Sequence, residues 1–444
     1  NGILFLSMGG SIIKSLGPIF FSFMTIFIGL LLDLYVFSGL VSLMKNRSKR
    51  FRMIVYFIFW TVNVVGYVST TIIRHYYSQL TSQFPYSFIT ALFFLWFIIK
   101  LFFVAFLLVT DILSFFRWLF FNLKQHVIAK RTVNDDNENE NNVQKNAISR
   151  SEFLLKTSTI IAAVPAVALS YGIISGAHDY RVRRERIVLP RLPKSFDGFK
   201  IAQISDIHSG SFWNKTAVQG GIEMLMLEKP DIILFTGDLV NSLSSEMDNY
   251  FNVFNKLKAD FGVHSVLGNH DYGTYVKWDS RQAQIADHAR FLKVHDEMGW
   301  NLMLNQNHVI EQSGDKIGLI GVENWSSQHK RFPTYGDLKK AKKGMEEMPV
   351  KILMSHDPSH WQGEILPLHK DIDLTLSGHT HGMQFGIEMG DIKWSPVQYF
   401  YKEWAGLYQQ NNQYLYVNRG YGYLGYPGRF GILPEITILE LSST

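Results

Sequence analysis

At 444 residues the chain has room for two or three domains, and its net charge of +5 comes from basic residues that are dispersed or lie beside apolar stretches. That excludes a nucleic-acid protein, which concentrates its cations on one face, and the lack of any cysteine excludes disulfide frameworks and thiolate metal sites. Hydrophobic residues make up 47% and aromatic residues 14%, with the phenylalanines gathered mostly before residue 125.

In chain order, three apolar stretches come first, at about 19–43, 51–73 and 88–121. Each is long enough to cross a bilayer as a helix, which takes roughly 20 residues, and together they make residues 1–123 a three-helix transmembrane region. The third is longer than one span needs, so it should tilt or run into the interface. Polar residues inside these stretches are expected to pair within the bundle: Asp33 with Lys100 or a tyrosine, while Asp111 meets the headgroups. Residues 124–150, with "NDDNENENNVQKN", read as a polar linker without a core pattern.

Residues 151–176 form a fourth apolar segment, introduced by "SRSEFLLK". This resembles a degenerate twin-arginine export signal in which Ser151 stands for the second arginine. Loop charge sets the expected topology. "KNRSKRFR" after the first span is strongly basic, "RHYYSQLTSQFPYS" is not, and the third loop is basic at its start, so everything after Gly176 should lie outside. Residues 177–195 read as a basic linker whose "RVRRER" run opposes that orientation and is expected to lie on anionic headgroups.

From residue 196 to 444 short apolar strands alternate with helical segments, the pattern of an α/β domain with covered sheets. Expected strands are "KIAQIS", "DIILFT", "VHSVLG", "IGLIGV", "VKILMS", "DLTLS", "YLYVNR" and "EITILEL"; "TAVQGGIEMLMLEK" and "SRQAQIADHARFLKVHDEM" read as helices. Polar residues gather where strands stop: Asp206 and His208, then Asp238, then Asn269, His270 and Asp271, then His356, then His379 and His381. Carboxyl ends of strands are where open α/β sheets bind ligands. The donors are all oxygen or nitrogen, a set suited to Mn, Fe or Zn. A bridging carboxylate with two cations about 3.5–4 Å apart forms a clamp for displacement at phosphorus and supplies a hydroxide nucleophile. Gly237, Gly268, Gly378 and Gly382 beside the donors let backbone come close.

The series D-x-H, G-D, G-N-H-D, a lone His and G-H-x-H resembles the calcineurin-like metallophosphoesterase superfamily, over roughly residues 196–441. With the preceding membrane helices it is similar to the membrane-associated bacterial branch, which includes an export-signal-bearing phosphodiesterase and a UDP-diacylglucosamine hydrolase. The resemblance implies two mixed sheets flanked by helices and two divalent metal ions. Asp206, His208 and His381 would hold the first, Asn269, His356 and His379 the second, with Asp238 between them. His270 would act on the leaving oxygen with Asp271 orienting it. Arg419 and Arg429 are candidate phosphate contacts. Where relatives read G-H-T-H-G-G-Q, this chain has Met383, expected to narrow the cleft and leave the ligands untouched.

The function expected is a membrane-anchored dimetal phosphoesterase, cleaving mono- or diesters on the outer face of a bacterial cytoplasmic membrane, with a lipid-linked or envelope substrate. An alternative is a pyrophosphate hydrolase of the UDP-diacylglucosamine type on the cytoplasmic face. A transporter or sensor with a phosphoesterase-like binding module fits less well, because every expected ligand is present and the membrane part lacks paired broken helices.

Overall fold

A computed structural model describes residues 26–75, 84–129, 164, 167–390 and 392–444. They divide between two compact units. The first is helical: α1 (Ile26–Leu43), α2 (Lys49–His75) and α3 (Phe84–Ala129). Ile26–Leu43, Lys49–Ser69 and Leu95–Asn122 are apolar and long enough to cross a bilayer. Many apolar side chains face outward, among them Phe57, Val64, Phe116, Trp118 and Phe120. Water would penalise that arrangement, whereas hydrocarbon tolerates it. At 46 residues α3 is about 69 Å long at 1.5 Å per residue, more than twice the hydrocarbon thickness, so part of it must lie beyond the core of the bilayer. Residues 19–25 fall outside the described residues, as do residues 130–150 of the expected linker, whose first part, 124–129, instead continues α3, and most of the fourth apolar segment before residue 167.

The expected pairing of Asp33 is present. Lys100 Nζ lies 2.5 Å from Asp33 Oδ1 and donates to Asn63 Oδ1 at 2.7 Å. Tyr67 donates to Asp33 Oδ2 at 2.7 Å, and Trp96 Nε1 to Asn63 Oδ1 at 3.0 Å. Beside it Val36, Phe59 and Val104 form a small apolar core. Asp111 accepts from Tyr35 instead of standing free.

The second unit takes in residues 168–174 of a helix here called α4 (167–174) and, after it, a sandwich of two six-stranded mixed sheets. One runs β1-β14-β2-β3-β4-β5, with β1 (Arg181–Val188), β2 (Lys200–Ile204), β3 (Ile232–Phe235), β4 (Val263–Ser265), β5 (Trp300–Leu302) and β14 (Glu435–Ser442). The other runs β12-β13-β9-β8-β7-β6, with β6 (Gln306–Gln312), β7 (Asp315–Gly321), β8 (Lys351–Met354), β9 (Leu374–Ser377), β12 (Gly406–Gln410) and β13 (Gln413–Val417). Ile201, Ile232 and Leu234 face Leu319, Ile352, Leu374 and Tyr416 between the sheets. The opposite face of the first sheet is covered by α5 (Lys215–Leu227) through Val218, Ile222 and Leu225, and by α6 (Arg281–Glu297) through Phe291 and Val294. Side chains of Asn214 and Ser280 cap these helices by accepting from Ala217 and Ala283. Being buried on both faces is why these strands read as unbroken apolar runs.

β2, β3 and β4 are parallel, as are β7, β8, β9 and β13. Their carboxyl ends meet on one edge, laced by Gln203 Nε2 to the Ser377 carbonyl at 2.9 Å and Tyr421 N–H to the Ser205 carbonyl at 2.7 Å.

One segment differs from expectation. "RVRRER" is not a loose basic patch but strand β1, parallel to β14, and most of its cations have partners within the protein. Arg183 pairs with Glu388, Arg184 with Glu228, and Arg186 donates to Ser442. The density of charge concealed this edge strand.

For the membrane unit, Lys100→Met alone should destabilise by about 3–5 kcal/mol by stranding a buried carboxylate. Adding Asp33→Asn should restore much of that loss. Thermal denaturation of the detergent-solubilised chain reads both, and additive losses would contradict the pairing.

Candidate metal centre

Each candidate donor follows a strand directly, and several stand in strained backbone. Asp206, His208, Asp238, His379 and His381 all adopt positive φ, between 49° and 71°. Such conformations cost about 1–3 kcal/mol each and cluster at working sites; Asp and His are among the side chains that best tolerate them. The turns are held by their own backbone: His208 N–H donates to the Asp238 carbonyl at 3.1 Å, and His379 N–H reaches both Asp206 oxygens at 3.0 Å.

Two groups of donor atoms result, Asp206 with His208 and His381, and Asp238 with His356 and His379, each within 4.8 Å of one another. In the first, His208 Nε2 and His381 Nε2 are 3.0 Å apart, and His381 Nε2 is 3.2 Å from Asp206 Oδ1. In the second, His356 Nε2 lies 3.1 Å from Asp238 Oδ2 and 3.3 Å from His379 Nδ1. Asp238 Oδ2 is also 3.6 Å from His208 Nε2, so this carboxylate stands between the groups.

Nearly all of this is buried; His270 and His379 are the most open members. Burial resists ionisation of Asp206 and Asp238, yet the imidazoles beside them hold both well below the ordinary carboxylate range. Burial pushes the His208 and His379 imidazoles below their ordinary range. It also works against charge on His356, but Asp238 overcomes it and raises that imidazole to about 10. His356 Nδ1–H donates to the Thr236 carbonyl at 2.7 Å, leaving Nε2 aimed at Asp238.

Asn269 carries the test of fit. Its amide donates to Tyr275 Oη at 2.8 Å, while its Oδ1 is buried without a partner. An orphaned buried acceptor is costly, and a cation held with His356 and His379 would satisfy it. Donors at about 2.0–2.2 Å from a shared ion lie roughly 3–4.4 Å apart, which the 3.0 and 3.2 Å separations in the first group and the 3.1 and 3.3 Å separations in the second match. The residues fit two divalent ions.

Two expected roles change. Asp271 does not orient His270: its carboxylate accepts from the backbone N–H groups of Gly268 and Asp238 at 2.8 Å, Leu239 at 2.9 Å and Val240 at 3.3 Å. It therefore shapes the Asp238 turn. His270 is held instead by the Asn241 carbonyl, 2.8 Å from its Nδ1, and by the Tyr275 ring at 4.4 Å. Nor are Arg419 and Arg429 presented for phosphate. Arg419 pairs with Glu435 at 2.5 Å and Glu388 at 2.7 Å. Arg429 is fully buried and donates to the carbonyls of Gly422, Ile432 and His381.

Sequence reasoning missed Tyr401, Tyr275, Asn241 and Phe332. Tyr401 Oη lies 2.8 Å from His379 Nε2, and the Phe332 ring meets His379 edge-on at 4.9 Å. No motif marks them, since they arrive from loops remote in sequence. Asp357 Oδ2 stands 3.7 Å from His379 Nε2.

A family model described as calcineurin-like phosphoesterase matches residues 199–383. Residues 199–383 are thus a calcineurin-like phosphoesterase domain. Every candidate ligand falls inside that match; Arg419 and Arg429 fall beyond it. A second family model, described as the transmembrane domain of a probable calcineurin-like phosphoesterase, matches residues 17–177. A transmembrane protein with metallophosphoesterase domain from Danio rerio is 30% identical over 288 residues, 64% of this chain and 61% of that one. A metallophosphoesterase of Bacillus subtilis is 29% identical over 305 residues, 67% of this chain and 99% of that one. One from Helicobacter pylori is 30% identical over 271 residues, 61% of this chain and 66% of that one. The aligned part thus spans 61% of the Danio rerio protein and 65% of the Bos taurus protein of the same description.

A Cβ on Gly268 would collide with the Asp238 carboxylate and amide. Gly268→Ala is therefore expected to weaken divalent-metal affinity at least about tenfold. Met383, half exposed at φ 53°, occupies backbone that glycine prefers, so Met383→Gly should keep metal content unchanged. Metal titration followed by calorimetry compares the two, and loss in the second variant would contradict the placement of Met383.

Proposed function

We propose that this chain is a membrane-anchored phosphoesterase that hydrolyses a phosphomono- or diester with two divalent cations, Mn, Fe or Zn, held by the two donor groups. The observation that carries this reading is Asp238 standing between two convergent sets of donors. When bound, such cations polarise phosphate oxygens and lower the pKa of water. The chain's own residues do the rest. Asp206, His208 and His381 hold one position; Asn269, His356 and His379 hold the other; Asp238 joins them. Asp271, accepting from the Asp238 turn, keeps that bridge in place.

His270 is the proton carrier. Its Nδ1–H donates to the Asn241 carbonyl, so Nε2 is the atom free to give or take a proton at the mouth of the site. At that position Nε2 can protonate a leaving oxygen. Anchoring by the membrane unit supports a lipid-linked or envelope substrate. The loop charges support an outer-face orientation on a bacterial cytoplasmic membrane.

Full-length protein stripped of metal and reloaded with Mn, Fe or Zn should cleave generic esters. Asp238→Asn should fall to background, and His270→Gln should lose about 10²–10⁴ in kcat with metal content retained. Equal rates for wild type and Asp238→Asn with every metal would overturn the reading. A reporter fused after Thr444 should be active only outside the cytoplasm; activity inside would reverse the orientation and favour a cytoplasmic-face pyrophosphate hydrolase.

A further inference from the structure

One hairpin of the second unit is built inside out. β10 (Ile387–Met389) and β11 (Ile392–Trp394) pair antiparallel, with Ile387 opposite Trp394, Glu388 opposite Lys393 and Met389 opposite Ile392. Alternation puts the two charges on one face and the apolar side chains on the other. The charged face turns inward. Glu388 meets Arg183 at 2.6 Å and Arg419 at 2.7 Å, while Lys393 Nζ sits 4.6 Å over the Trp404 ring and donates to the Ala405 carbonyl. The apolar face turns outward, leaving Ile387, Met389 and Ile392 50%, 70% and 61% exposed. A hairpin adapted to water would show the reverse pattern.

More exposed apolar side chains flank it: Met383, Tyr399 and Phe400. Two of these sit beside the metal centre. Met383 follows His381 by two residues, and Phe400 precedes Tyr401, whose hydroxyl touches His379. Ser395 Oγ donates to the Gly382 carbonyl at 2.7 Å, and Thr380 Oγ1 to the Trp404 carbonyl at 2.6 Å. These bonds pin the segment 395–404 against the turn that carries His381.

The patch is also continuous with α4. Gly386 N–H donates to the Phe430 carbonyl at 2.9 Å, and Arg429 N–H to the Gly172 carbonyl on α4 at 3.1 Å. Tyr426 Oη donates to the Leu169 carbonyl, also on α4. α4 belongs to the stretch matched by the transmembrane family model, and its own Tyr171 and Ile174 are exposed. The base of the hairpin, the 426–430 loop and α4 thus form one packed strip.

We propose that the outward face of β10–β11, with Met383, Tyr399 and Phe400, rests in the interfacial layer of the chain's own bilayer, and that the metal centre takes the phosphoester of a membrane lipid from that layer. The second half rests on the phosphoesterase reading; the first stands without it. Aromatic and aliphatic side chains suit the headgroup boundary, and an approach along the bilayer would bring a lipid phosphate in past Met383 and Phe400.

Because the chain has no cysteine, single labels are clean. Met389→Cys, Ile392→Cys and Phe400→Cys carry an environment-sensitive fluorophore in full-length protein, reconstituted into phosphatidylethanolamine–phosphatidylglycerol vesicles. The control is Lys316→Cys, an exposed site at the start of β7, far from the carboxyl-end edge. Nitroxides on lipid should quench the three labels several-fold more than the control, and aqueous iodide should quench them less. Labels that match the control would overturn the docking. Labels shielded from both quenchers would replace the bilayer with a second copy or another protein, and would overturn it too. For the substrate, Met389→Asp with Ile392→Asp should lower the ratio of vesicle-borne to water-soluble ester hydrolysis at least about tenfold; an unchanged ratio would overturn the lipid assignment. A wild type that cleaves neither ester would sink the phosphoesterase reading and the lipid substrate with it, while quenching would still decide the docking.

Discussion

Two carboxylates, Asp206 and Asp238, lie buried within a few ångströms of four imidazoles, and much of the second unit is arranged around that costly placement. Buried charge is tolerated only when paired or coordinated. The imidazoles supply part of the compensation, and the orphaned Asn269 oxygen marks where protein groups alone fall short. Around this centre the strand ends converge, the turns adopt left-handed backbone, and Gly268 and Gly378 leave room where a Cβ would strike Asp238 or Asp206. Asp271 is the supporting member: one carboxylate collecting backbone donors from the Asp238 turn and from Gly268 fixes the bridging position without touching the mouth of the site.

The fold was legible where chemistry and pattern agreed. Strands such as β2, β3, β8 and β9 are buried on both faces, so their apolar runs announce them, and the donors that follow each one announce the site. The outward apolar faces of α1–α3 and the Asp33–Lys100 pair were readable for a similar reason: in hydrocarbon, a charge without a partner is too expensive to keep.

What stayed hidden depends on contacts distant in sequence. β1 looked like a basic linker because its arginines find Glu388 and Glu228 only after folding. Asp271 adjoins His270 in the chain, yet its oxygens turn toward the Asp238 backbone, and the Asn241 carbonyl takes the orienting role. Arg419 and Arg429 offered the right chemistry for phosphate and are committed to carboxylates and carbonyls. Tyr401 and Phe332 reach His379 from loops that no periodicity marks. The inverted hairpin is the same lesson at larger scale: its charges look like surface residues until their buried partners are seen.

The two-cation centre is the claim on which the functional account stands. Electron paramagnetic resonance of the full-length chain titrated with Mn(II) tests it directly. The account predicts that two equivalents bind and give the broadened, multiline signal of a spin-coupled pair about 3.5–4 Å apart, and that Asp238→Asn loses that coupling. Uncoupled six-line spectra at every loading of the wild type would contradict it.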